Sequence, residues 1–454
     1  MRGLRSPEGF VGNSRRWEGK KGSKKMFLTV AVISILLFGS LVVFLGSSLS
    51  TANNAGYVPL KNSEKMLGNG GSTPYICYGN GTFVTLWFGK DSSGNWMLNA
   101  TQMDVYGNIL KTTTITSDIA LYNSKPSGMG PRMAYDPYYK IFFMIWYSSN
   151  KSLDGLVLND TLVPQGSPVV LNSTVSVNYH GFGLTYIGES KFLVSWSDNK
   201  YDNYYRIVEY VNDSLVLGNI EKVSSDAQHS HLNNMVAYDP LTGNIMVIWR
   251  NSTGKSGVYN ITGKIFNGSM DIVKNDFTIA NGYKEGMSYD MPNIAAGDGR
   301  FMVIYGNRSS PYDVYGVIIN ASNGEIMKTF LIGQSYVGLK YYGMGIAYNG
   351  SGGFMVAWPN SNKNIEATLY SCNGTKVADM LVTNTSHSEE APMVAAGFIP
   401  TRASNVVYQF VWYDYTSSTV NTANYSESAL VPEFTALVPV LAVLIVAIAV
   451  RRRH

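Results

Sequence analysis

The sequence predicts an all-β protein: a seven-bladed β-propeller of four-stranded antiparallel blades, closed 3+1, with a transmembrane helix at each end. Two observations predict the ring and one predicts the ends. A short aromatic segment recurs at near-constant spacing, turn residues recur at fixed offsets from it, and two apolar runs abut basic clusters.

The recurring segment reads FVTLW ending at Trp87, FFMIW at Trp146, FLVSW at Trp196, IMVIW at Trp249, FMVIY at Tyr305, FMVAW at Trp358 and YQFVW at Trp412. Successive copies lie 59, 50, 53, 56, 53 and 54 residues apart. Four positions before each aromatic stands Phe83, Phe142, Phe192, Ile245, Phe301, Phe354 or Tyr408. Residues at even spacing share one face of a strand, so each pair marks a buried face. About ten residues upstream lies a second strand with a small residue near its end: Cys77, Ala134, Thr185, Ala237, Ala295, Ala347 and Ala395. Asp-Pro, Gly-Asp-Gly and Asn-Gly groups between the two strands are hairpin chemistry. Two further strands complete each copy, as in DVYGVIINAS and GEIMKTFLI. The small residues are expected where the innermost strands crowd the central channel.

The last copy ends after its third strand, near Tyr425, while residues 57–67 precede the first copy with the character of a fourth strand. That segment is expected to complete the last blade and remove the open edge. Cys77 takes the small-residue slot and Cys372 a distant turn, so no disulfide is expected.

The chain carries 35 Lys and Arg, 31 Asp and Glu and a net charge of +4. Eight of the basic residues fall in residues 1–46 and three more are Arg451, Arg452 and Arg453. The segment between is mildly acidic, which excludes a nucleic-acid surface. Residues 26–46 and 435–450 are uncharged apolar runs, each with its basic cluster on the outer flank. By the positive-inside rule, residues 1–25 form a cytoplasmic tail, 26–46 a signal-anchor or cleaved signal peptide, 55–428 an extracellular propeller, and 431–454 a C-terminal anchor. Both chain ends are cytoplasmic before any processing.

The C-terminal pattern Val431-Pro432-Glu433-Phe434, apolar run and Arg-Arg-Arg resembles the PEF-type sorting tails of archaeal surface proteins. That resemblance implies processing near the motif and transfer to a lipid. The repeat over residues 57–428 is similar to those of secreted archaeal and bacterial propeller proteins. It departs from the sialidase Asp-box, because Asp91-Ser-Ser-Gly-Asn-Trp96 has different spacing.

Asn-x-Ser/Thr sequons stand at Asn80, Asn99, Asn150, Asn159, Asn172, Asn212, Asn251, Asn260, Asn267, Asn307, Asn320, Asn349, Asn373, Asn384 and Asn424, all in the segment predicted to lie outside the cell. They are candidate glycosylation sites.

Strand order places the four internal histidines, His180, His229, His231 and His387, in loops on one face, with Glu389 and Tyr289 nearby. Asp226, Glu285, Asp290 and Glu390 add acid there, and Tyr179, Tyr283, Tyr336, Tyr341 and Tyr342 an aromatic rim. Two readings follow. Imidazoles converging on the axis suit a divalent metal, or a base beside Tyr in polysaccharide elimination or hydrolysis. Alternatively the polar residues simply collect in loops, and the aromatic rim stacks on sugar rings. No Walker loop, dinucleotide fingerprint, HExxH, CxxC pair or GxSxG is present. The sequence therefore predicts a membrane-anchored surface glycoprotein that binds glycans or protein partners, without a resident cofactor. A carbohydrate-active enzyme and a structural cell-envelope component are the alternatives, and the oligomeric state stays open.

Overall fold

The seven repeat aromatics and the seven residues four positions before them are all buried, none more than 5% exposed. Each pair lies on the second strand of an antiparallel sheet; five of these sheets are four-stranded, and the first and last are continuous through one shared strand, Lys65–Gly79. The computed structural model describes residues 58–59, 64–126, 130–173, 175, 181–198, 200–224, 231–255, 257–282, 289–307, 312–336, 343–399 and 402–426. Every named element there is a β-strand.

Register is the same in every copy. The residue after the small one pairs with the residue four before the aromatic: Tyr78 with Phe83, Tyr135 with Phe142, Tyr186 with Phe192, Tyr238 with Ile245, Ala296 with Phe301, Tyr348 with Phe354, Ala396 with Tyr408. A one-residue slip would turn each aromatic pair to the other face, so burial fixes this register.

The first, inner strands are Lys65–Gly79, Arg132–Asp136, Phe182–Gly188, His231–Asp239, Tyr289–Gly297, Gly345–Tyr348 and Glu389–Ile399. Each touches the next, and the last touches the first. Apolar clusters sit between successive sheets, and each holds one aromatic pair. Phe142 and Trp146 meet Val84, Leu86 and Cys77 of the preceding sheet, and Phe83 and Trp87 meet Ala395 and Val411 of the last one. Burying one such side chain contributes about 1.5–3 kcal/mol, so these inter-sheet layers are the core of a β-propeller-like arrangement.

The small residues thus have a different cause from the one expected. Cys77, Ala134, Ala237, Ala295, Ala347 and Ala395 each lie in the cluster with the next sheet's aromatic pair, for which they leave room. Crowding between inner strands falls instead on glycines. A Cβ on Gly183 would lie 2.9 Å from Val236 N, and one on Gly345 2.8 Å from Val394 N.

Closure follows the predicted 3+1 scheme with a shifted boundary. In the strand Lys65–Gly79, residues 65–69 pair with Thr419–Ser426, the third strand of the last sheet, and residues 70–79 form the inner strand of the first. Upstream, Val58 pairs with Ser426 and Pro59 with Tyr425. The chain therefore enters and leaves the described ring at adjacent points. Both lie on the face opposite the starts of the inner strands.

Cys77 and Cys372 are free thiols. Among the described residues no helix is long and apolar enough to cross a membrane; the runs 26–46 and 435–450, predicted to be transmembrane, lie outside the described residues.

Candidate functional site

The axis of the ring is nearly filled. A cavity of about 70 Å³ is lined from every inner strand, by Tyr75, Arg132, Leu184, Met235, Ile294, Ile346 and Met393 among others. Arg132 lines it, with its guanidinium 5.1 Å from the Tyr75 ring centroid and 5.8 Å from that of Phe182. Small-molecule sites typically run to about 300–1,000 Å³, so the axial cavity is too small for a sugar.

A larger cavity, about 410 Å³, opens between the second and third sheets. One wall is the outermost strand of the second sheet, Val169–Asn172, with the following Ser173. The other carries Asp198, Tyr204, Arg206 and Ile220 of the third sheet. Tyr204 is the cross-strand partner of the repeat aromatic Trp196, and their rings stack with centroids 6.3 Å apart and planes 24° apart. That contact fixes an aromatic surface at the mouth of the groove. Asp198 Oδ1 accepts the turn N–H groups of Lys200 and Asp202 at 2.8 and 2.9 Å, which anchors the carboxylate at the rim. The exposed side chains of Val170 and Ile220 add an apolar border.

Arg206 crosses the groove. Its Nη1 donates to Leu171 O at 2.6 Å, while its Nε is buried without a hydrogen-bond partner. Burial lowers its pKa from the usual guanidinium value, yet it remains charged at neutral pH. The next groove shows what this position does when it is neutralised. There Lys264, at the equivalent place in the repeat, donates to Val223 O at 2.7 Å and pairs with Asp276 at 3.2 Å. In the third sheet the strand residue opposite Arg206 is Ile220, and among the described residues Arg206 has no acidic partner.

The predicted site residues divide into three groups. His180 and His229 lie outside the described residues, as do Tyr179, Asp226, Tyr283, Glu285, Tyr341 and Tyr342. His231, Tyr289 and Glu389 occupy one register position in three sheets. Each is paired with the residue two past the repeat aromatic, respectively Asn251, Asn307 and Asp414. Among the described residues His387 and Glu389 are brought into one cluster, and Asp414 joins them.

Sequence reasoning missed Asp414 and the whole groove. Asp198 and Asp414 are the two acidic members of the position two past the aromatic, elsewhere Gly89, Ser148, Asn251, Asn307 and Asn360. Comparing that position across the repeats would have singled out both.

The sequon asparagines also divide. Asn99, Asn307, Asn349 and Asn424 are buried, 9% exposed or less, where a glycan finds no room. Asn80, Asn150, Asn212, Asn373 and Asn384 are exposed.

No protein-family model and no curated protein matches the chain. Its fold is similar to that of solved structures. The BP39L lectin from Burkholderia pseudomallei superposes with a TM-score of 0.58 at 10% identity, over 78% of this chain and 96% of the lectin. A polysaccharide lyase of family PL25, an ulvan lyase bound to -[GlcA(1-4)Rha3S]-, superposes with a TM-score of 0.52 at 9% identity, over 81% of this chain and 95% of the lyase. At such identities the likeness is one of fold.

Proposed function

We propose that the chain is a membrane-anchored surface protein whose seven-bladed propeller binds carbohydrate in the groove between its second and third blades, with a preference for sugars that bear an acid group. The observation that carries this reading is Arg206, a half-buried cation with no acidic partner among the described residues, lining a cavity of about 410 Å³ beside the Trp196-backed ring of Tyr204. A pyranose lays its apolar face on the ring, while Arg206 meets a carboxylate or sulfate. Asn172 and Asp198 line the same groove within reach of hydroxyls. The superposed lectin and lyase make a carbohydrate ligand a natural one for such a ring.

Anchoring rests on the charge pattern of the two apolar runs, and on the pairing of Val58 with Ser426, the adjacent points where the chain enters and leaves the described ring. The starts of the inner strands then look away from the membrane, with the groove and the exposed sequons Asn150 and Asn384 on the outer part of the protein.

The test is an array of neutral, uronate-bearing and sulfated oligosaccharides probed with the full chain. Retention of acid-bearing members, returned chemically unchanged, supports a binding module. Products with unsaturated uronate ends would instead establish the lyase alternative, and no retention at all would leave a protein partner or an envelope lattice.

A further inference from the structure

A second site stands at the start of the last sheet, built by the loop that enters its inner strand and by the end of its second strand. Glu389 and Asp414 are cross-strand partners there, both buried, at 2% and 3% exposure. His387, two residues earlier, reaches across so that its Nδ1 lies 2.6 Å from Asp414 Oδ2. One donor atom from each of the three residues lies within 4.8 Å of the other two.

The two carboxylates are unequal. Asp414 is well served. Burial would raise its pKa, but hydrogen bonds from Ser417 and His387 outweigh that and hold it below the usual value. Glu389 is not. Thr385 donates to Oε1 at 2.9 Å, but Oε2 is buried with no hydrogen-bond partner. Burial, with the nearby charge of Asp414, pushes its pKa up to about 7 against the smaller opposing effects of Thr385 and the Trp412 indole. Leaving a buried carboxylate oxygen unpaired is costly unless a cation approaches it.

We propose that His387, Glu389 and Asp414 bind a divalent first-row transition-metal cation, Zn²⁺ or Mn²⁺. An imidazole with two carboxylates favours these ions over Mg²⁺ and Ca²⁺, which prefer oxygen alone. Donors about 2.0–2.2 Å from an ion lie at most about 4.4 Å apart, so a small rotation of the half-exposed His387 ring completes the set. The proton shared by His387 and Asp414 holds the place that the cation takes. The exposed side of His387 leaves room for water or a ligand on the ion. This site is independent of the sugar groove.

The test is isothermal titration of ZnCl₂ and MnCl₂ into the chelator-treated full chain, with His387→Ala, Glu389→Gln and Tyr204→Ala alongside. One cation per chain is expected, with affinity lowered about 10- to 100-fold in His387→Ala and in Glu389→Gln and unchanged in Tyr204→Ala. His387 is half-exposed, so its variant keeps the fold even where Glu389→Gln does not. Absence of binding to the wild type, or equal binding by His387→Ala, would overturn the proposal and leave a purely hydrogen-bonded cluster.

Discussion

Arg206 Nη1 donates to the carbonyl oxygen of Leu171 at 2.6 Å, so a side chain of the third sheet is tied to the outermost strand of the second. The bond ties the two walls of the groove together. Arg206→Lys keeps the charge but loses the planar fork. It should retain weak binding of acid-bearing sugars, about tenfold down, whereas Arg206→Ala should lose the preference for acidic over neutral ones. Titration calorimetry with matched neutral and uronate-bearing oligosaccharides reads both.

Sequon asparagines should behave in two classes. Asn349 Nδ2 donates to Tyr408 Oη at 3.2 Å, and its Oδ1 accepts the N–H groups of Ser351 and Gly353 at 2.9 and 2.8 Å. Asn349→Ala should cost about 1–3 kcal/mol, because it strands buried partners. At the exposed Asn384, Asn384→Ala should stay within about 0.5 kcal/mol. Denaturant unfolding checks both, and glycopeptide mass spectrometry should find glycan on Asn384 but not on Asn349.

Asp154 is buried at 7% exposure beside Ser152, whose hydroxyl donates to it at 2.6 Å. Desolvation raises its pKa above the usual carboxylate value, helped by the charge of Asp118. A folded-state pKa above the unfolded one gives stability that is present below the unfolded pKa and is lost as pH rises through the folded one. Relative to wild type, Asp154→Asn should therefore gain stability as pH rises from about 3.5 to 7. A difference that does not change with pH across urea melts would contradict this.

Inner-strand glycines should be the least tolerant of the small residues. Gly183→Ala places a Cβ 2.9 Å from Val236 N in the next inner strand, which should cost about 1–3 kcal/mol through overpacking. Gly268→Ala, whose Cβ would have only Gly243 O at 3.5 Å near it, serves as the control. Its thermal midpoint should match that of the wild type.

The ring was legible because its code is repeated. Trp87 to Trp412, the small residues and the turn groups recur in one order, and burial of a strand face leaves a single register for them. The 3+1 closure was legible too, since the last copy lacks a fourth strand and the segment before the first resembles one. What the small residues face was not legible: Ala134 meets Phe192 of the next sheet through three-dimensional packing that spacing along the chain does not reveal.

The sites were less legible, for two reasons. His387 and Glu389 stand out in the sequence because histidine is rare there, but Asp414 looks like an ordinary turn aspartate, with Oδ1 accepting the N–H groups of Thr416 and Ser417. Among the described residues no histidine lines the groove. Arg206 sits in a strand that reads as blade filler, and its importance comes from Ile220 standing where the next sheet has Asp276 beside Lys264.

Carbohydrate binding in the groove between the second and third sheets is measured by titrating a uronate-bearing oligosaccharide into the full chain and into the Tyr204→Ala, Arg206→Ala double variant. Saturable binding by the wild type is expected, with at least a hundredfold loss in a double variant whose melting profile remains cooperative. Equal affinity in the two proteins would contradict it.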